Sequence, residues 1–253
     1  MPLSVIRLSR YPVKGLSSDR LEAVDLTPGL GLPGDRRFAL ALESTRFERD
    51  SPEWLPKTSF LMLARHEKLA ALETRYDEAA EILTILRRGR KVVSGRLTDP
   101  VGRAMIEDFF SAYMGRSIAG KPRLVEGPPG HMFSDHRNKV VSLINLASVR
   151  ELERLAGRPL DADRFRGNVL FDGGGPWEEF TWVGRDFQAG GVRLRIAKRI
   201  ERCPATSVNP LTGERDVNVP LLLRQTYDHA DFGVYAEVME AGRLAVGDVL
   251  LPV

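Results

Sequence analysis

The 253-residue chain contains one cysteine, Cys203, within Glu201-Arg202-Cys203-Pro204-Ala205-Thr206-Ser207. A thiolate is a soft metal ligand and a good nucleophile, and a cation such as Arg202 beside it favours the ionised form. A free thiol also packs as a small buried hydrophobe. Alone, the residue supports either a reactive or a structural reading. Its setting adds to this. Val192-Arg193-Leu194-Arg195-Ile196-Ala197 alternates with the period of a half-buried strand. Pro204, Asn209-Pro210 and Thr212-Gly213 then carry turn chemistry. The thiol is expected at a strand end, on the rim of a sheet.

The other candidates are basic residues beside small polar ones in turns. Lys14 follows a strand end, and Arg36 and Arg37 follow a glycine-rich loop. Asp163-Arg164-Phe165-Arg166-Gly167-Asn168 places two arginines and an amide before another strand. Guanidinium forks suit phosphate, and hydroxyls and amides supplement them. With a thiol on a turn, they suggest a pocket for a phosphorylated, metal-bearing cofactor. Other chemistries lack their motifs. The chain has no phosphate loop of the Gly-x-x-x-x-Gly-Lys-Ser/Thr type, no His-Glu-x-x-His pair and no Gly-x-Ser-x-Gly elbow. Its four histidines are scattered, and His131 and His136 read as surface residues.

Short strands must position these groups. Leu3 to Leu8, Leu21 to Leu26, Phe38 to Leu42 and Phe60 to Leu63 read as strands, separated by Gly/Pro-rich turns. Glu48 to Thr58 reads as a surface loop. Leu69 to Leu86 fits a helix by spacing, but a hairpin turning at Asp77-Glu78 suits its surroundings better. Val101 to Met114 reads as a helix with Met105, Phe109, Ala112 and Tyr113 as its apolar stripe, stopped by Gly115. Val140 to Ile144 reads as a strand and Leu146 to Ala156 as a helix capped by Asn145 and ended by Gly157. Val169 to Phe171, Phe232 to Glu237 and Val249 to Leu251 complete the strands; Trp177 to Trp182 is strand or loop. The expectation is mainly β with some α, an α+β chain of barrel-like units, with a boundary in the Pro/Gly-rich passage from Gly120 to His136.

Composition sets bounds. At 43% hydrophobic and 28% charged residues, the chain reads as an ordinary soluble globular protein. One cysteine excludes an internal disulfide or a cluster held by several thiolates, and points to a reducing, cytoplasmic setting. No signal-peptide core or membrane-spanning window is found, so no membrane association is expected. The net charge of +3 is spread along the chain, and Arg87-Arg88-Gly89-Arg90-Lys91 reads as a solvated hairpin end rather than a nucleic-acid site.

The motifs together resemble those of the MOSC-domain proteins, named for the C-terminal domain of molybdenum-cofactor sulfurases. Tyr11-Pro12-Val13-Lys14-Gly15 and Gly34-Asp35-Arg36-Arg37-Phe38 are similar to hallmarks of that family's N-terminal β-barrel companion domain. Phe133-Ser134-Asp135, Arg164-Phe165-Arg166-Gly167-Asn168 and Arg202-Cys203-Pro204-Ala205-Thr206 to Gly213 are similar to hallmarks of the MOSC domain. The resemblance is nearly end to end, and implies domains at residues 1–118 and 119–253. It is greatest to the amidoxime-reducing branch in its short bacterial form, without the fused ferredoxin domain of some relatives.

The resemblance implies the following roles. Cys203 is the thiolate on molybdenum. Lys14, Arg36, Arg37, Arg166 and Asn168 hold the pterin cofactor and its phosphate. Thr206 and Ser207 match the polar pair after the cysteine. Asn145 and Ser148 fall where the family often has serines serving the pocket, with Asn145 a departure. Asn209 stands where aspartate is common. The implied activity is reduction of small N-hydroxylated compounds, with electrons from a ferredoxin-like or flavin-dependent partner. The alternative is a molybdenum-cofactor or persulfide carrier without small-molecule turnover. The pyridoxal-phosphate desulfurase domain of the sulfurases is not expected in this chain.

Overall fold

The computed structural model describes residues 2–253. The chain forms fifteen strands and three α-helices among the described residues. The first half contains β1 (Ser4–Arg10), β2 (Asp19–Leu21), β3 (Ala23–Leu26), β4 (Phe38–Ala41), β5 (Leu72–Asp77), β6 (Ile82–Arg87), β7 (Arg90–Arg96) and α1 (Pro100–Met114). Then come β8 (Arg123–Glu126), β9 (Val141–Asn145), α2 (Leu146–Ala156), β10 (Val169–Asp172), β11 (Asp186–Ala189) and β12 (Val192–Glu201). The chain ends with α3 (Val219–Tyr227), β13 (Asp231–Glu240), β14 (Gly242–Ala245) and β15 (Leu250–Pro252).

Eight strands form one sheet in the order β15-β11-β12-β13-β9-β10-β1-β2. Its one parallel pair, β9 with β10, is joined through α2, as a parallel crossover requires. The sheet buries alternating residues such as Leu194, Ile196, Val234 and Ala236, completed by Val5 and Leu8 of β1. The start of the chain thus belongs structurally to the sheet of its second half. A second core gathers Val13, Phe38, Leu40, Leu83, Ile85, Ile106 and Phe110 around the β5-β6-β7 meander and α1. β8, which lies beyond residue 118, pairs with β4 of this body.

The architecture is mainly β with helices, as the turn-rich pattern implies. Leu72 to Arg87 is a hairpin, preceded by a 3-10 turn at Glu67–Ala71 that takes up Leu69. Phe60 to Leu63 differs from expectation: only Phe60 bridges to Ala41, and Phe60 and Leu61 are buried by packing without a strand. The stripe of α1 is rotated by one position. Gly102, Ile106, Phe110 and Met114 face inward while Met105 is 48% exposed. The cause is close backbone packing, since a Cβ on Gly102 would meet the Arg96 carbonyl at 2.2 Å. Trp177 to Trp182 resolves into a 3-10 turn at Glu178–Trp182.

Candidate cofactor site

β12 carries the chain from the core to the cysteine, and Arg202 ends it by donating its backbone N–H to Ala230. Cys203 opens the 3-10 turn Pro204–Ser207, and its carbonyl accepts from Thr206 N and Oγ1 at 3.1 and 3.0 Å. The loop beyond is anchored from below. Arg164, 3% exposed, donates to the Thr206 carbonyl and to both oxygens of Asp216. Asn209 donates to Asp216 and accepts from Leu211 N and Thr212 N, so it serves as a loop brace. The half-buried thiol sits at the edge of the sheet, where the alternation and the prolines place it.

Cys203 lines a cavity of about 550 Å³ between the two cores. Residues distant in sequence meet there: Lys14 and Arg36 from the first body, and Arg166, Asn168 and Thr206 from the second. Lys14 is buried and donates to the Phe133 carbonyl at 2.9 Å and to Asp135. Burial pulls the Lys14 ammonium below the ordinary lysine range, offset only in part by Asp135. For Asp135, burial would raise the carboxyl, but Lys14 and then Lys57 outweigh it and hold it low. Lys57, from the 3-10 turn Lys57–Ser59, also lines the cavity. Its burial opposes the charge, yet Cys203 and Asp135 outweigh that cost and raise its pKa.

Three guanidiniums define the deep wall. Arg36 pairs with Asp35 and donates to the Arg166 carbonyl at 3.3 Å. Arg166 donates to the Leu16 carbonyl at 2.7 Å, and its Nη2 is buried with no partner. Both lie over the Tyr11 ring, at 5.1 and 4.2 Å. Arg202 donates to the carbonyls of Phe232 and Phe165, with no carboxylate within 4.0 Å among the described residues. Burial without a counter-ion brings the Arg202 guanidinium down to about 10 and also lowers Arg166. Of the eight lysine and arginine side chains that line the cavity, Lys14, Arg36 and Arg164 pair with Asp135, Asp35 and Asp216, whereas the deep guanidiniums of Arg166 and Arg202 have no carboxylate within 4.0 Å among the described residues. Two buried guanidiniums without counter-ions favour an anion in the cavity.

Four residues expected at the pocket stand elsewhere, each with other partners. Arg37 turns into the first body, to Glu126 and Glu81 at 2.8 Å each. Asn145 and Ser148 are fully buried and bind Glu179 at 2.8 and 2.9 Å, with Asn145 also capping α2. Ser207 is buried outside the cavity lining, and its carbonyl accepts from Asp216 N. Asn168 does line the cavity, but its side chain spans β9 and β1, accepting from Ser142 and donating to Ser9. Lys57 and Tyr235 were not singled out from the sequence. Lys57 lies in a stretch that reads as a surface loop, and Tyr235 alternates with the core residues Val234 and Ala236, so it reads as an ordinary residue of the strand's outer face.

Two family models cover the chain: the MOSC N-terminal beta barrel domain at residues 3–117 and the MOSC domain at residues 128–251. The chain belongs to the MOSC family. It is 33% identical to the molybdenum cofactor sulfurase of Drosophila melanogaster over 91% of this chain and 31% of that protein. It is 29% identical to mitochondrial amidoxime reducing component 2 of Bos taurus over 43% of this chain and 35% of that protein. The chain thus spans about a third of the length of these curated relatives. The YuaD protein of Bacillus subtilis aligns over 99% of this chain and 94% of its own at 12% identity, with a TM-score of 0.43, too distant to argue from.

A molybdenum cofactor fits the donor set. Among the described residues no cluster of three His, Cys, Asp or Glu side chains could hold a bare metal ion. One thiol beside a cavity that holds two buried guanidiniums without counter-ions, Arg166 and Arg202, suits a metal that arrives with ligands of its own on an anionic carrier. Arg166, with its unpartnered Nη2, and Lys14 are the groups that would hold that carrier's charge.

Proposed function

We propose that this MOSC protein is a molybdenum-cofactor-binding oxidoreductase that reduces N-hydroxylated compounds with electrons from a separate redox partner. The observation that carries the reading is the half-buried Cys203 thiol on the lip of a cavity that holds two buried guanidiniums without counter-ions. When bound, the cofactor supplies two-electron oxygen-atom transfer, and the protein supplies placement. Cys203 offers the thiolate ligand, and Lys14, Arg36 and Arg166 hold the anionic tail. Arg202 and Lys57 stand beside the thiol and bring two cations to that end of the cavity. Burial raises the Tyr235 hydroxyl, so it stays protonated at neutral pH and serves as a hydrogen-bond donor to an oxygen in the cavity. The single cysteine cannot assemble an iron–sulfur cluster, so reducing equivalents come from a ferredoxin-like or flavin-dependent protein. The reading places the protein in the cytoplasm; among the described residues no helix is long and apolar enough to cross a membrane.

A second reading is favoured by the 91% coverage in the match to a protein named molybdenum cofactor sulfurase. Cys203 then carries a persulfide or a cofactor in transit. Reduction of benzamidoxime to benzamidine separates the two. Protein from a molybdenum-replete host, supplied with reduced viologen, turns over under the first reading and Cys203→Ser does not. A labile sulfur on Cys203 with no turnover supports the carrier.

A further inference from the structure

The mouth of the cavity carries charge that the cofactor cradle does not use. Lys198 and Arg199, on the exposed edge of β12, line its outer part. Arg137 stands in the loop beside His136, with its guanidinium 5.0 Å over the ring of Trp54, which is 39% exposed. None of these three cations has a carboxylate within 4.0 Å among the described residues, whereas Arg193 and Arg195, farther down β12, are neutralised by Asp186. Arg199 lies over the Phe180 ring at 4.5 Å, supported by an aromatic face rather than an anion. Asp231 and Glu201 also line the cavity, and Glu201 lies 3.6 Å from Arg224.

We infer that this rim is the docking surface for an acidic electron-carrier protein, with Trp54 and Arg137 as its anchor and Lys198 and Arg199 steering its approach. The inference rests on the proposed reductase function, which requires an external donor that reaches Cys203. Unpaired surface cations around an entrance raise the encounter rate of an anionic partner. Trp and Arg are among the residue types enriched at the hot spots of protein interfaces. A protein fits better than the other polyanions. The overall charge is only +3, and the cations ring a recessed thiol instead of tracking a groove or lying on a flat face.

The test is direct binding of a plant-type [2Fe–2S] ferredoxin to the full chain, by calorimetry or biolayer interferometry, with cationic cytochrome c as the control. Wild type is expected to bind ferredoxin and not cytochrome c, with affinity falling as salt rises from about 50 to about 300 mM. The double variant Lys198→Glu/Arg199→Glu and the single variant Arg137→Glu are each expected to weaken binding by about tenfold or more. Undiminished binding in both variants overturns the inference, as does equal binding of cytochrome c or no ferredoxin binding. Tighter, salt-sensitive binding to anionic vesicles or duplex DNA than to ferredoxin also overturns it. Molybdenum content measured on the same preparations tests the reductase reading separately, because these rim residues lie outside the cofactor cradle.

Discussion

Arg202 donates from Nε to the carbonyl of Phe232 at 2.7 Å, which ties the residue before Cys203 to the start of β13. Its Nη1 reaches the Phe165 carbonyl at 2.8 Å, next to Arg166. One guanidinium thus fixes the relation of the thiol to the Arg166 turn. Arg202→Ala removes the donor for two carbonyls and is expected to cost about 1–3 kcal/mol of stability. Urea denaturation checks this, and an unchanged midpoint contradicts it.

The uncompensated charge of Arg166 makes the cofactor-free protein responsive to small anions. Inorganic pyrophosphate at about ten times its Kd is expected to raise Tm by about 3–5 °C. Arg166→Met should abolish most of that shift. An equal shift in the variant means that the anion binds elsewhere.

Asp216 and Arg164 form the buried pair beneath the cysteine loop, with side chains 9% and 1% exposed at 3.1 Å. Asp216→Ala strands the arginine charge and is expected to cost about 3–5 kcal/mol. Replacing both partners with apolar residues should cost less than the single change. Chemical denaturation of the single and double variants decides between these outcomes.

Glu179 is buried with only neutral partners, Asn145 and Ser148, and burial raises its carboxyl above the usual range. A carboxyl whose folded pKa is raised favours folding while protonated. That contribution is full below the unfolded value, near 4.5, and is lost as pH climbs through the raised folded value. Glu179→Gln removes this titration, so its stability relative to wild type should improve from pH 5 to pH 8. Thermal melts across that range show it, and a pH-independent difference contradicts it.

The sequence reveals the site where local pattern and chemistry coincide. The alternation of Val192 to Ala197 and the break at Pro204 put Cys203 on a rim. The turn residues around Lys14, Arg36 and Arg166 put cations at strand ends, and the fold brings all of them to one cavity. Tertiary packing decides the rest. Arg36 and Arg37 are adjacent, yet the left-handed backbone at Arg36 sends one inward and leaves the other to Glu81 and Glu126. Asn145 and Ser148 are claimed by Glu179, a buried carboxylate that no spacing rule connects to them. Lys57 reaches the thiol from a polar loop with no periodicity. α3 is masked in the sequence because Asn218 as its cap and Pro220 in its first turn look like loop punctuation.

The most direct measurement is molybdenum per protein chain, by mass spectrometry, for wild type and Cys203→Ser purified from a molybdenum-replete host. Close to one molybdenum is expected in wild type and a large loss in the variant, with the fold intact. Equal metal in both proteins, or none in wild type when the cofactor is abundant, contradicts it.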